Sequence, residues 1–224
     1  MMNKQPESSA LAMKATPARV AFFIARCAAN ALFAGLSFAF SSSWAASPGG
    51  ADPVRPVCAA CHGAQGTSSL PLMPSLAGQP KVFLENQLVM IREGLREIPA
   101  MTGLLTKLSD ADLIALARWY SEQAPDPLAT PAFATPRQTE RLTAGATMAK
   151  EALCGTCHLP SYLGQSQVPR LAGQREDYLQ QTMILMRDGK AVGRDSIMAS
   201  TLRGMSDEQL RNLAHYFASL GTPP

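Results

Sequence analysis

Apolar positions recur at intervals of three to five along two stretches of the chain. In residues 81–93 they are Phe83, Leu84, Leu88 and Ile91, and in residues 176–188 they are Tyr178, Leu179, Met183 and Met186. That spacing keeps them on one face of a 3.6-residue helix, so each stretch is predicted to be amphipathic and helical. Gly94 and Gly189 follow directly and predict where these helices end. Two further helices are predicted to begin at Ser109-Asp110-Ala111-Asp112 and Ser206-Asp207-Glu208-Gln209. The second of these starts is a Ser-x-x-Gln capping box and the first its acidic counterpart. Leu113, Leu116, Ala117 and Tyr120, with Leu210, Leu213, Ala214 and Phe217, are their expected buried faces. A helix is also predicted ahead of each of two Cys-x-x-Cys-His pentads, most clearly over residues 139–153. No stretch alternates with period two, so no strand is predicted and the expected fold class is all-α.

A different apolar pattern occupies the beginning of the chain. Residues 27–40 form an apolar run of 14, preceded by a basic, polar segment and followed by Ser41-Ser42-Ser43-Trp44-Ala45-Ala46. A short hydrophobic run closed by small residues reads as an export signal, cut after Ala45 or Ala46, because spanning a bilayer takes roughly 20 residues. A retained anchor extended through Phe22, Phe23 and Ile24 is the competing reading, and it would bury Arg26 in the membrane. Residues 1–45 are therefore expected to be a signal peptide and the remainder to be periplasmic.

The rest of the chain repeats itself. Cys58-Ala59-Ala60-Cys61-His62 matches Cys154-Gly155-Thr156-Cys157-His158 at an offset of 96. Pro74-Ser75-Leu76-Ala77-Gly78-Gln79 matches Pro169-Arg170-Leu171-Ala172-Gly173-Gln174, and Arg92-Glu93-Gly94 matches Arg187-Asp188-Gly189, both at 95. Two residues are then inserted, so Met101 matches Met198 and Leu108-Ser109-Asp110 matches Met205-Ser206-Asp207 at 97. Pro125, Pro127, Pro131 and Pro136 mark residues 123–138 as an extended connector. The expected organisation is two tandem domains, 46–122 and 139–224, an inference drawn from the repeat.

Charge excludes one class of function. The first 45 residues hold Lys4, Lys14, Arg19 and Arg26 against Glu7, and the remaining residues hold 16 basic and 16 acidic side chains. A neutral body is not a nucleic-acid binder. The cysteines then supply the chemistry. Four of the five lie in the two pentads, which carry the attachment signature of c-type haem. Two thiols three residues apart reach the same side of a helical turn, where each can form a thioether with a haem vinyl group while the next His faces the iron. With five Cys and three His in 224 residues, chance yields on the order of 10⁻³ such pentads. A disulfide or a four-Cys zinc site would leave the His that follows both times unexplained. Two covalent haems are thus expected, held by Cys58, Cys61, Cys154 and Cys157, with His62 and His158 as axial ligands.

The opposite axial position is constrained by the His count. Only His215 remains, between the buried positions of the last helix, where a solvated surface His is the plainer reading; two bis-His haems are impossible from this chain alone. Met90, Met148, Met183, Met186 and Met205 fall at positions suited to core packing, and Met73 aligns with Val168. Met101 and Met198 alone repeat as Met in the loop before the last helix, 39 and 40 residues after their His. They are the expected sulfur ligands, against the simpler alternative of core Met. A soft thioether favours ferrous iron and raises the reduction potential.

With these motifs in place the sequence resembles the dihaem cytochrome c4 family over residues 51–221. The resemblance rests on the pentads, the Pro-x-Leu-Ala-Gly-Gln segments, the Arg-x-Gly helix ends, Met101 and Met198, and the Leu/Met-Ser-Asp helix starts. It implies two tandem cytochrome c-like domains related by an approximate twofold axis, with the haem propionate edges close together. It also implies that the Pro74 and Pro169 carbonyls accept hydrogen bonds from His62 and His158, and that Arg92 and Arg187 meet propionates unless they are solvated helix-end residues. The expected role is an electron carrier, not an enzyme, moving single electrons from a respiratory donor complex toward a terminal oxidase, with membrane association only peripheral. A dedicated cytochrome subunit of a dehydrogenase or oxidase, or a dihaem redox enzyme such as a peroxidase or a thiosulfate-oxidising cytochrome, are the alternatives. The loops from Gly94 to Met101 and Gly189 to Met198 differ by two residues, so the two axial geometries are expected to differ.

Overall fold

Eight α-helices and one 3-10 turn make up the regular structure of residues 54–125 and 135–221, the residues described by a computed structural model. The expected signal peptide, its cut site and the middle of the Pro-rich connector lie outside them. Among the described residues no strand occurs, only an isolated bridge between Gln165 and Val168. No helix there is long and apolar enough to cross a membrane. The first half holds α1 (Arg55–His62), α2 (Lys81–Arg92), the 3-10 turn Pro99–Met101 and α3 (Asp110–Ser121). The second holds α4 (Pro136–Glu151), α5 (Cys154–His158), α6 (Glu176–Arg187), α7 (Ser196–Leu202) and α8 (Asp207–Ser219).

The predicted helices α2 and α6 stop one residue earlier than the apolar pattern suggested, at Arg92 and Arg187, ahead of Gly94 and Gly189 with φ of 70° and 67°. Both final helices start in reciprocal capping boxes, Ser109 with Asp112 and Ser206 with Gln209. A third box corrects the connector. Thr135 and Gln138 cap α4, and Pro136 occupies its first turn, where a missing amide hydrogen costs nothing. Residues 136–138, read from sequence as connector, are therefore helical. In the first half the described helix contains the pentad, since α1 runs from Arg55 through His62.

The core of the first half is built from Leu84 on α2 and Leu116, Ala117 and Tyr120 on α3. That of the second half joins Ala149 of α4, Leu179 and Met183 of α6, Leu202 of α7, and Leu210, Leu213, Ala214 and Phe217 of α8. The α4–α8 crossing is close because Gly145 has no side chain. A Cβ there would fall on the carbonyl oxygen of Asn212 and within 2.6 Å of Tyr216 Cβ. Overpacking in Gly145→Ala costs about 1–3 kcal/mol against the roughly 1 kcal/mol that Ala gains in helix propensity, so a net destabilisation of up to about 2 kcal/mol is expected. Urea denaturation checks this, and wild-type stability in the variant would mean that the two helices separate freely.

The halves meet through a reciprocal exchange between their Pro-x-Leu-Ala-Gly-Gln segments. The Gln79 side chain donates to the Arg170 carbonyl at 3.0 Å and accepts from the Arg170 amide at 2.9 Å. The Gln174 side chain does the same with Ser75, with both bonds at 2.8 Å. The buried Arg170 guanidinium bonds Ala77 O across the interface and Ala172 O in its own half. Arg175 reaches Ser68 O, and Asp177 accepts from the Leu72 amide.

Candidate functional site

Each pentad places its residues by a different local route. In the first half α1 carries Cys58 and Cys61 on one turn and ends on His62, with Gly63 turning the chain away. In the second half α4 stops at Glu151, and Leu153, in a left-handed conformation, redirects the chain into the single turn of α5 that carries Cys154, Cys157 and His158. In both halves the first cysteine is half-buried and the second exposed. Burial raises the Cys58 and Cys154 thiols above their ordinary range. Among the described residues no three His, Cys, Asp or Glu side chains converge on a metal-sized point.

Both histidines are buried and oriented alike. His62 Nδ1 donates to Pro74 O at 2.9 Å, and His158 Nδ1 donates to Pro169 O at 2.8 Å. Burial lowers the pKa of both rings, partly opposed by these carbonyls, which favours the neutral imidazole. A neutral ring that donates from Nδ1 keeps its Nε2 lone pair for a metal. Both rings face one continuous apolar cavity enclosing about 1660 Å³ of empty space, mouth included. His62, Cys58 and Met101 line it from the first half, and His158, Cys154, Cys157 and Met198 from the second. Its walls are the apolar faces of α2 and α6 noted from sequence.

The methionines sit on different supports. Met101 closes the 3-10 turn, whereas Met198 lies within α7, not in a loop as the sequence suggested. The cause is a cap. Asp195 accepts from the amides of Ile197 and Met198, and its counterpart in the repeat is Ile98, which cannot accept. Met205 also lines the cavity while packing on the second core.

Arg92 and Arg187 do not line the cavity. Arg92 pairs with Asp110 and Glu93 and donates to Leu108 O, and Arg187 pairs with Asp207 and Asp188 and donates to Met205 O. They clamp the start of the last helix. Two other arginines take the cavity position. Arg96 and Arg194 line it together with Tyr178. Burial, reinforced by Arg194, pulls the Arg96 guanidinium down to about 10. Burial pushes the Tyr178 phenol up, but Arg194 and Arg96 together bring it below its ordinary range. Arg96 donates to Gln87 and Arg194 to Tyr178. Among the described residues neither has a carboxylate within 4.0 Å. A buried Arg96 and a half-buried Arg194, neither with an acid beside it, suit the carboxylates of a haem edge. The inserted residues break the alignment of these two arginines in the repeat, and an Arg four or five residues before each repeated Met is the signal they leave in the sequence. His215 also differs from its expected solvated state. It is largely covered and bonds Glu176 at 2.8 Å, tying α8 to the start of α6.

The donor set and the apolar cavity fit the group that the pentads call for. The fold and site thus define a dihaem c-type cytochrome, all-α, with two cytochrome c-like domains and two covalent haems. Comparison with known proteins agrees. Residues 47–119 match the model described as cytochrome C oxidase, cbb3-type, subunit III, and residues 142–221 the model of cytochrome c. Cytochrome c4 of Pseudomonas aeruginosa is 35% identical over 170 residues, covering 73% of this chain and 84% of the relative. The thiosulfate dehydrogenase electron acceptor of Thiomonas intermedia (strain K12) is 32% identical over 205 residues, covering 89% and 93%. The crystal structure of reduced recombinant cytochrome c4 from Pseudomonas stutzeri superposes with a TM-score of 0.66 at 29% identity, covering 77% of this chain and 99% of that one. The chain belongs to the cytochrome c4 family and is a dihaem electron-transfer cytochrome.

Proposed function

We propose that Cys58 and Cys61 hold one haem and Cys154 and Cys157 the other, with His62 and Met101, and His158 and Met198, as axial ligands. On this reading the protein is a periplasmic carrier, not an enzyme, that takes single electrons from a respiratory donor and delivers them toward a terminal oxidase. The observation that carries the assignment is the pair of histidines fixed by Pro74 and Pro169 in one cavity that also takes Met101 and Met198. When bound, the haems supply reversible one-electron chemistry between ferric and ferrous iron. The protein's part is to hold the imidazoles neutral and aimed, to keep water from the apolar walls, and to offer Arg96 and Arg194 to the carboxylates. Filling both axial positions with protein side chains leaves no site for a substrate, which supports a carrier over a peroxidase.

A second donor is favoured by one observation. The Thiomonas relative spans nearly this whole chain, and its name describes an acceptor of electrons from thiosulfate dehydrogenase. Stopped-flow reduction of the ferric protein separates the readings. Rapid reduction by membranes supplied with quinol, followed by reoxidation with a terminal oxidase, is the expected result. Reduction only by a thiosulfate dehydrogenase with thiosulfate would move the donor, and oxidation of thiosulfate by this chain alone would make it an enzyme.

A further inference from the structure

The interface glutamines are joined to the histidines of the opposite half through single peptide groups. The peptide linking Pro74 to Ser75 accepts from His62 Nδ1 with its carbonyl at 2.9 Å and donates its N–H to Gln174 Oε1 at 2.8 Å. The peptide linking Pro169 to Arg170 accepts from His158 Nδ1 at 2.8 Å and donates its N–H to Gln79 Oε1 at 2.9 Å. Each glutamine returns its Nε2 to the next carbonyl, of Ser75 or Arg170. Gln79 and Gln174 are 3% and 2% exposed, so water does not compete for these bonds.

A peptide whose N–H is held by an acceptor is polarised, and its carbonyl becomes a better acceptor in turn. A stronger acceptor at Nδ1 gives the imidazole more anionic character, which makes Nε2 a better donor and favours ferric iron. We infer that Gln174 and Gln79 are positioning residues acting across the interface, Gln174 setting the orientation and donor strength of His62 and Gln79 those of His158. The inference rests on the proposed axial role of these histidines. Each haem's potential is thereby held by the half that does not carry it. The two chains of bonds are unequal, because Gln174 Oε1 also accepts from the Arg175 amide at 2.9 Å and divides its capacity.

The test is a redox titration of the holoprotein followed by NMR of the shifted haem methyl signals, assigned to each half through Met101→Ala and Met198→Ala. Gln174→Leu is expected to raise the potential of the first-half haem and leave the second unchanged, and Gln79→Leu to do the reverse, with the larger shift. Gln174→Glu and Gln79→Glu keep the shape and an oxygen acceptor. They are expected to lower the potential of the opposite haem once ionised, and they carry the test even if the Leu variants fail to fold. A shift in the same half, an equal shift in both haems, no shift, or a rise in the Glu variants would each overturn the inference. Failure of the axial assignment is read separately. If ¹⁵N-histidine-labelled wild-type protein shows no imidazole nitrogens shifted by the iron, the ligands are wrong whatever the variants do.

Discussion

Produced in a host that cannot attach haem, this chain is expected to show no cooperative helical unfolding transition by circular dichroism. The first-half core has only four side chains in its cluster, and Phe83, Leu88 and Ile91 on α2 are half-buried cavity walls rather than core. Ile98, Leu171 and Met186 stand in the same position. Fully covering an exposed apolar side chain of this size contributes about 1.5–3 kcal/mol, and covering the remaining half of six such walls amounts to about 5–9 kcal/mol. That is comparable to the whole stability of a typical domain, about 5–15 kcal/mol. Each half is also of a size at which a core alone is marginal. A sharp melt of haem-free protein with native helix content would show that the walls collapse onto one another and that the cofactor is not needed for folding.

Replacing Met101 or Met198 by Ala should each remove about half of the sulfur-to-iron charge-transfer band at the red end of the ferric spectrum, since one of two thioethers goes. Each variant should then bind one carbon monoxide per chain when reduced, and the double variant two, while the wild type binds none readily. The reduction potential of the affected haem should fall, because the donor that favours ferrous iron is lost. Met205→Ala is the control. Its sulfur side chain lines the same cavity but packs on Leu202 and its neighbours in the core, so the band should survive. Loss of the band there would transfer the ligand role from Met198 to Met205.

Much of this architecture was legible in the chain because its determinants are local. The faces of α3 and α8 were readable from period alone, and all eight side chains assigned to them are buried. The cap residues of those helices were readable because a Ser three residues before an acid or amide acts within one turn. What failed depended on neighbours distant in sequence. Arg92 and Arg187 look free at helix ends until Asp110 and Asp207 fold back onto them. His215 looks solvated until α6 brings Glu176 to it. The helical support of Met198 was missed for another reason, since Asp195 has no partner in the repeat and was invisible to an alignment of like with like. The glutamine exchange was in view as a repeated motif, but its meaning lies wholly between the halves.

Almost everything recognised across that boundary by Gln79 and Gln174 is main chain. Ser75 and Arg170, the residues they grip, differ in size and charge, yet the grip is the same. A duplicated ancestor joined in this way could let its copies drift apart at nearly every surface position without unlearning how to dock, leaving each copy free to specialise toward a different redox neighbour.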